Sequence, residues 1–333
     1  MNPNANIPST KEENGKPQPL AYGKPVSTQM DFLRRMITQP KAVIGLVIMA
    51  FFILMALFAP LIAPHDPNKY VGLPNQPPSG AHWLGTTGQG QDVFSQLVWG
   101  SRISLLIGFS VGILSTILGL VIGMISGYFP GVVDGILNMF TNVFLLIPGL
   151  PLLIALASFL PQGMLTVMLV LTFTGWSWPA RVFRSQMLCL REKDFVYASV
   201  VSGESVPRIV FSEILPNMLS LVMSSLFGAV IYTIGADAGL AFLGFENVNI
   251  VSWGTMLYWA SNSSALLQEA WWTFLPPGLC IALVSFATTM LIYAMDEVTN
   301  PRLRSEKEIT RVLRKFHIGS SRSTPVVKEP LAE

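Results

Sequence analysis

The chain has 333 residues, of which 51% are hydrophobic and only 12% are charged, and its formal net charge is +2. Soluble domains are about 25% charged, whereas a charge at the centre of a bilayer costs roughly 2.5–3.5 kcal/mol. This composition excludes an ordinary soluble enzyme and predicts an all-α, polytopic transmembrane bundle. Two cysteines, Cys189 and Cys280, are too few for a disulfide framework or a zinc site.

The N-terminal 40 residues are polar and contain proline, so we expect a cytoplasmic tail with a short interfacial helix and no cleaved signal peptide. Residues 43–63 then give 21 positions without a formal charge. At 1.5 Å per residue such a helix crosses a hydrocarbon core of about 30 Å. This segment is the first predicted span.

Five further apolar segments complete a predicted six-span domain over residues 41–300. They are 103–127, 132–160, 163–183, 218–243 and 272–295. Two prolines, Pro148 and Pro151, predict a kink in the third span. Glycines at a spacing of four predict close helix contacts along the second span. These glycines are Gly108, Gly112, Gly119, Gly123 and Gly127.

The lysines and arginines predict the orientation in the membrane, because they accumulate on the cytoplasmic side. If the N-terminus is cytoplasmic, 19 of the 21 fall on that side. Both termini, including the tail 301–333, and the loop 184–217 are then cytoplasmic. Loops 64–100 and 244–271 lie outside. We expect a multi-pass protein of a bacterial or archaeal cytoplasmic membrane.

The 184–217 loop is long and its sequence is typical of a helix on either side of Gly203. Glycine supplies the left-handed turn that closes a helix, and Pro207 is tolerated in the first turn of the next one. Phe195, Val196, Ser199 and Val200 would share one face of the first helix. A short helix held between two spans is suited to a groove on a soluble partner.

The segment DFVYASVVSGESVPRIVFSEILPN resembles the EAA loop of binding-protein-dependent ABC importer permeases, with Ala198, Gly203 and residues 214–217 in register. Segments 82–105, 240–257 and 271–304 are similar to the C-type subunits of the dipeptide and oligopeptide branch. The resemblance covers roughly residues 40–304. It implies the type I permease fold and a pore-forming subunit for di- or oligopeptides.

In that family the EAA loop forms a coupling helix that seats in an ATP-hydrolysing subunit. The resemblance assigns coupling to Asp194, Ala198, Ser199, Gly203, Glu204, Ser205, Arg208 and Pro216. It also implies a second homologous permease subunit, one or two P-loop ATPase subunits and an extracytoplasmic solute-binding protein, besides membrane lipid but no nucleic acid. The chain has no G-x-x-x-x-G-K-[ST] motif, so we expect it to bind no cofactor and leave ATP and Mg²⁺ to the ATPases.

Some positions depart from the family pattern on the predicted outer side. Thr87, Gln91 and Gln96 replace an aspartate and two arginines of the motif LGTDxxGRDV and its continuation. Glu246 replaces the last glycine of an LGLG motif. The cargo therefore stays open between peptides, oligosaccharides and another small solute.

Asp237, Trp253, Trp259 and Trp271 are candidates for the translocation path or an outer gate. The alternatives are an aromatic belt at the headgroups for the tryptophans, and a bond to a neighbouring helix for Asp237. The three histidines, His65, His82 and His317, are far apart in sequence, and we expect solvent-side residues without a metal.

Another class of protein, a stand-alone secondary transporter or channel, would show inverted repeats and buried charges. The sequence shows no repeat and few ionisable residues in its spans. A membrane-embedded enzyme is disfavoured, because the sequence shows no constellation of residues for a nucleophile or a metal.

The topology is testable by single-cysteine labelling with an impermeant reagent in intact cells. A cysteine at position 200 should resist labelling from outside because the 184–217 loop is cytoplasmic, whereas one at position 80 should be labelled. Strong external labelling at position 200 would overturn this orientation.

Overall fold

The computed structural model describes residues 39–299, and the repeating structure in this part is helical. The predicted interfacial helix before Pro40 and the C-terminal tail lie outside these residues. In chain order the helices are α1 (Pro40–Leu57), α2 (Ala59–Ile62), α3 (Val93–Tyr128), α4 (Val132–Leu146), α5 (Gly149–Phe159), α6 (Met164–Gly175), α7 (Ser177–Arg191), α8 (Asp194–Val201), α9 (Val206–Phe242), α10 (Trp253–Asn262) and α11 (Leu275–Thr299).

Helix α3 is 36 residues long and measures about 54 Å at 1.5 Å per residue. It begins at Val93 because the side chain of Asp92 caps it, accepting a 2.8 Å hydrogen bond from the backbone N–H of Ser95. The helix that contains the second predicted span, 103–127, therefore starts ten residues before that span. Residues 93–100, expected in a loop, are its first turns.

Glycines on α3 bring α7 into contact with its backbone. A Cβ atom added at Gly123 would lie 2.6 Å from the carbonyl oxygen of Ala180 and 3.0 Å from the backbone nitrogen of Arg184. Added Cβ atoms at Gly119 and Gly127 would meet α7 just as closely. The predicted close packing along this helix is confirmed, since only a residue without a side chain fits.

The same helix approaches α9 through two more of these glycines. A Cβ atom at Gly108 would lie 2.6 Å from the side chain of Ile234, and one at Gly112 would lie 2.6 Å from that of Val230. Helix α3 therefore uses one set of small residues to hold two neighbouring helices.

The third predicted span is broken rather than kinked. Helix α4 ends at Leu146, and Ile147 is extended because a residue that precedes proline is disfavoured in the helical region. The axes of Val132–Leu146 and Pro151–Phe159 differ by 93°. Pro148 therefore divides this segment into two short helices.

The fourth predicted span, 163–183, is also divided, at Trp176. Helix α6 has 12 residues and α7 has 15, of which three are arginines. Within residues 39–299, four helices are long and apolar enough to cross a membrane, or five if α4 and α5 form one span. The four are Pro40–Leu57, Val93–Tyr128, Val206–Phe242 and Trp271–Glu297. The fold is a polytopic helical membrane protein, and the predicted count of six exceeds the spans that length and composition support here.

Replacing Gly123 with alanine should destabilise the protein, because the added methyl group meets backbone atoms that cannot move aside. Overpacking of this kind costs about 1–3 kcal/mol. Thermal unfolding of the purified chain in detergent measures the effect. Gly228→Ala is the matched control, since its Cβ would meet nothing within 4 Å. Equal unfolding temperatures for the two variants would contradict the packing.

Candidate functional site

The 184–217 loop contains a helix that ends at a left-handed glycine. Gly203 has φ +76° and donates to the carbonyl of Val200 at 3.0 Å, while Glu204 donates to that of Ser199 at 3.1 Å. These two bonds form a Schellman motif, which satisfies the last carbonyls of α8. The prediction that Gly203 closes this helix is confirmed.

Beyond Gly203 the chain does not form a separate short helix, which corrects the sequence prediction. Helix α9 starts at Val206 and continues without a break into the span, through the π-helical turn Ile209–Ile214. Pro216 follows that turn. Its ring would clash with the carbonyl four residues earlier in a regular α-helix, so the wider turn accommodates it.

One face of the 184–217 loop is buried against the ends of α3 and α7. Seven buried apolar side chains form this contact, which we call the loop anchor. They are Met124, Phe183, Met187, Val196, Ile209, Ile214 and Met218. Because four helices contribute to the loop anchor, α8 and the first turns of α9 are fixed to the bundle.

The opposite face of this loop is exposed. Phe195, Val196, Ser199 and Val200, which were predicted to share one face of α8, differ in exposure, because Val196 is buried in the loop anchor whereas Phe195 and Val200 are exposed. Large apolar side chains nevertheless face outward, and Val201 is the most exposed of them, at 88%. The other strongly exposed ones are Tyr197, Val200 and Phe211.

A surface cavity of about 190 Å³ lies beside these side chains. It is lined by Ala198, Ser199, Ser202, Glu204, Arg208, Ile209 and Glu213. Arg208 Nη1 lies 3.2 Å from Glu204 Oε2, and both side chains are accessible to solvent. An exposed ion pair adds little stability, so both groups are available to a partner. Four of the predicted coupling residues meet at this cavity, whereas Asp194, Gly203, Ser205 and Pro216 do not line it.

A second, larger cavity lies at the opposite end of α3, and its volume is about 500 Å³. It is lined by Asn68, Tyr70, Gln89, Gln91, Gln96, Val248, Asn249, Val251, Thr255, Met256 and Trp259. The lining carries no charge but offers five amide side chains and two aromatic rings. Two of those amides, Gln91 and Gln96, are departures from the motif and bond to each other at 2.7 Å.

The tryptophans of the predicted outer set lie in three different environments. Trp253 is fully buried, donates its indole N–H to the carbonyl of Leu97 at 3.1 Å and packs edge-on to Phe52. It therefore serves packing. Trp259 lines the larger cavity. Trp271 is half-exposed and begins the short 3₁₀ turn Trp271–Thr273, which precedes α11.

Asp237 is buried at 2% exposure near the end of α9, and one of its carboxylate oxygens has no hydrogen-bond partner among the described residues. Glu246 is fully buried and both of its oxygens are similarly unpartnered. The two carboxylates interact electrostatically. Glu246 was missing from the predicted site, although its departure from the motif was the signal that could have found it.

Two histidines expected at separate solvent-side positions lie together instead. The ring centroids of His65 and His82 are 5.4 Å apart, and His82 is buried. The expectation failed because the 16 residues between them fold back on themselves. His317 lies outside the described residues.

Comparison with known proteins identifies the family. Residues 119–305 match the family described as "Binding-protein-dependent transport system inner membrane component", and residues 28–78 match the N-terminal TM domain of oligopeptide transport permease C. The oligopeptide transport system permease protein OppC of Bacillus subtilis is 32% identical, over 84% of this chain and 92% of its own length. The chain is an inner membrane component of a binding-protein-dependent transport system.

Two dipeptide transport permeases agree with this assignment. DppC of Bacillus subtilis is 31% identical over 84% of this chain and 87% of its own. DppC of Alkalihalophilus pseudofirmus is 31% identical over 89% of this chain and 97% of its own. The family resemblance is thereby confirmed, as are the multi-pass inner-membrane location and the assignment to a transporter subunit rather than an enzyme.

Membership of this permease family also decides between classes of transporter. A component that depends on a binding protein works with that protein and with ATPase subunits. The alternative of a stand-alone secondary transporter or channel is therefore set aside.

The stability of the permease should depend on pH through Glu246. Burial raises the pKa of this carboxyl from 4.5 to about 7. The folded state thus retains a proton that the unfolded chain loses, so stability is fully present below pH 4.5 and is lost as pH rises through about 7. Glu246→Gln should unfold at a higher temperature than the wild type at pH 8.

The measurement is a series of thermal unfolding curves from pH 5 to pH 8. The wild type should lose stability across this range, by up to about 3 kcal/mol, and Glu246→Gln should lose less. Glu269→Gln, which changes an exposed carboxylate, is the control and should follow the wild type. Identical pH profiles for Glu246→Gln and the wild type would rule out a buried, protonated Glu246.

Proposed function

We propose that this chain is the pore-forming permease subunit of an ATP-driven importer, with six spans, cytoplasmic termini and a second, homologous permease subunit beside it. The observation that carries the proposal is the 184–217 loop: an outward apolar surface on one side and the loop anchor on the other. ATP and Mg²⁺ bind to one or two partner P-loop ATPases, and the chain itself supplies no nucleotide site.

The exposed face of the loop is the ATPase contact in this proposal. Tyr197, Val201 and Phe211 are large apolar side chains open to solvent, and they suit a groove on a partner protein. Glu204 and Arg208 add a pair of charges beside them. Displacement of this surface is transmitted through the loop anchor to α3 and α7, because close-packed side chains transmit strain.

An ion pair extends this connection from α7 to α4. The guanidinium of Arg184 donates two hydrogen bonds to Asp134, each 2.7 Å long. The hydroxyl of Ser126 on α3 also donates to Asp134 at 2.6 Å. Bidentate arginine–carboxylate pairs add geometric specificity. Movement of α7 would therefore move α4, and α5 after it. The helices would then alternate between two packed states.

The cargo we propose is a di- or oligopeptide, because the similar permeases are named as oligopeptide and dipeptide transport proteins. The uncharged lining of the larger cavity favours a second candidate, an oligosaccharide. Amide side chains bond hydroxyl groups, and the faces of Tyr70 and Trp259 suit the apolar faces of sugars. Binding of peptides and oligosaccharides to the partner solute-binding protein distinguishes the two cargoes.

Gly203→Val tests the coupling role of the loop. A β-branched residue at φ +76° strains the backbone by about 1–3 kcal/mol. No atom lies within 4 Å of the added Cβ, so the strain acts on the turn alone. We expect normal membrane abundance but a steep loss of uptake and of ATPase copurification.

Gly203→Asn is the matched control, because asparagine tolerates the left-handed conformation better than valine. It should retain much more uptake at equal abundance. Normal uptake and ATPase copurification for Gly203→Val would remove the reason for placing coupling at this turn.

A further inference from the structure

His65, His82 and Asp92 come together in the segment between α2 and α3. His82 Nδ1 lies 3.0 Å from Asp92 Oδ1, and His65 Nδ1 lies 3.9 Å from Asp92 Oδ2. One ligand atom from each residue lies within 4.8 Å of the other two. His82 and Asp92 are buried, whereas the side chain of His65 is about one-third exposed.

These separations suit a small metal ion. Zinc binds imidazole nitrogen at about 2.0–2.1 Å and carboxylate oxygen at a similar distance, so tetrahedral ligands lie about 3.3 Å apart. The distances from the Asp92 carboxylate to His82 and His65, 3.0 Å and 3.9 Å, lie on either side of that value. Shifts of about an ångström would place all three side chains on one ion. Two histidines and a carboxylate with one open position are a ligand set that zinc commonly uses.

Helix capping accounts for only part of this arrangement. Asp92 Oδ2 accepts bonds from the backbone N–H of Ser95 at 2.8 Å and from its hydroxyl at 2.6 Å. These bonds cap α3 without any histidine. The Nδ1 atom of His65 is enclosed, yet it has no hydrogen-bond partner among the described residues. This imidazole nitrogen lies beside a carboxylate and makes no hydrogen bond, so it is available to a metal.

The groups around the three residues would hold them in place. The Ser95 hydroxyl fixes the Asp92 carboxylate and also accepts a 3.2 Å bond from the backbone N–H of His65. The backbone N–H of His82 donates to the hydroxyl of Ser79 at 3.2 Å. Outer partners of this kind orient metal ligands and raise affinity.

We propose that His65, His82 and Asp92 bind a divalent transition-metal ion, for which Zn²⁺ is the probe. The ion joins the start, the middle and the end of the segment 63–92 and fixes it to the first turn of α3. This segment also contributes Asn68, Tyr70 and Gln91 to the larger cavity. Metal binding thus rigidifies the cavity wall, whichever cargo the permease carries and whether or not the proposed coupling role is correct.

Zinc titration of the purified full-length chain tests the site directly. The chain should carry no polyhistidine tag and should have Cys189→Ser, because the exposed thiol of Cys189 binds zinc on its own. We expect one equivalent of Zn²⁺ to bind. His65→Ala and His82→Ala should each lower the affinity at least tenfold, and Ser95→Ala should weaken it by about 10- to 100-fold.

His317→Ala is the matched control, since it removes the remaining histidine of the chain. It should leave the affinity unchanged. Unaltered binding in both His65→Ala and His82→Ala, or no stoichiometric binding by the parent chain, would overturn the proposal.

Hydrogen exchange gives a second readout for the case in which His82→Ala unfolds. His65→Ala leaves the His82–Asp92 bond and the cap of α3 in place. Zn²⁺ should slow amide exchange across 63–92 in the parent chain but not in His65→Ala. Equal slowing in both would show that zinc binds elsewhere.

Discussion

Helix α3 contacts α7 without intervening side chains, and the other functional features depend on that contact. At Gly123 the neighbouring backbone is so close that a methyl group would lie 2.6 Å from the carbonyl oxygen of Ala180. This approach places Phe183 and Met187 of α7 where they bury Val196 of α8 and Ile209 of α9. A helix about 54 Å long therefore has the loop anchor at one end and, near its other end, Gln91 and Gln96 in the wall of the larger cavity.

The features that follow local rules could be predicted from the sequence. Gly203 closes α8 because a left-handed residue satisfies the last carbonyls of a helix, and the glycines of α3 mark a close contact because small residues permit one. The place of the disruption at Pro148, though not its size, follows from the missing amide and the restricted residue before it. Each of these outcomes depends on a few neighbouring residues.

The features that depend on tertiary contacts could not be predicted in this way. Val196 was grouped with Phe195, Ser199 and Val200 on one face of its helix, but the sequence does not state which side of α8 meets Met187. Helix α3 begins at Val93 because Asp92 caps it, and polarity alone placed those turns in a loop. His65 and His82 meet only after the segment between them folds back. Trp253 is indistinguishable from Trp259 and Trp271 in sequence, yet of these three it alone is buried in the core.

In the proposed mechanism the 184–217 loop and the end of α3 move as one body, because the loop anchor joins them. Spin labels at Lys193 and Phe129, both exposed, measure this most directly by electron–electron distance spectroscopy. The sample is the assembled transporter with and without a non-hydrolysable ATP analogue, in a Cys189→Ser background. If the loop and the end of α3 move as one body, the distance distribution is narrow and is the same in both states. A shifted or two-peaked distribution on adding nucleotide would contradict it.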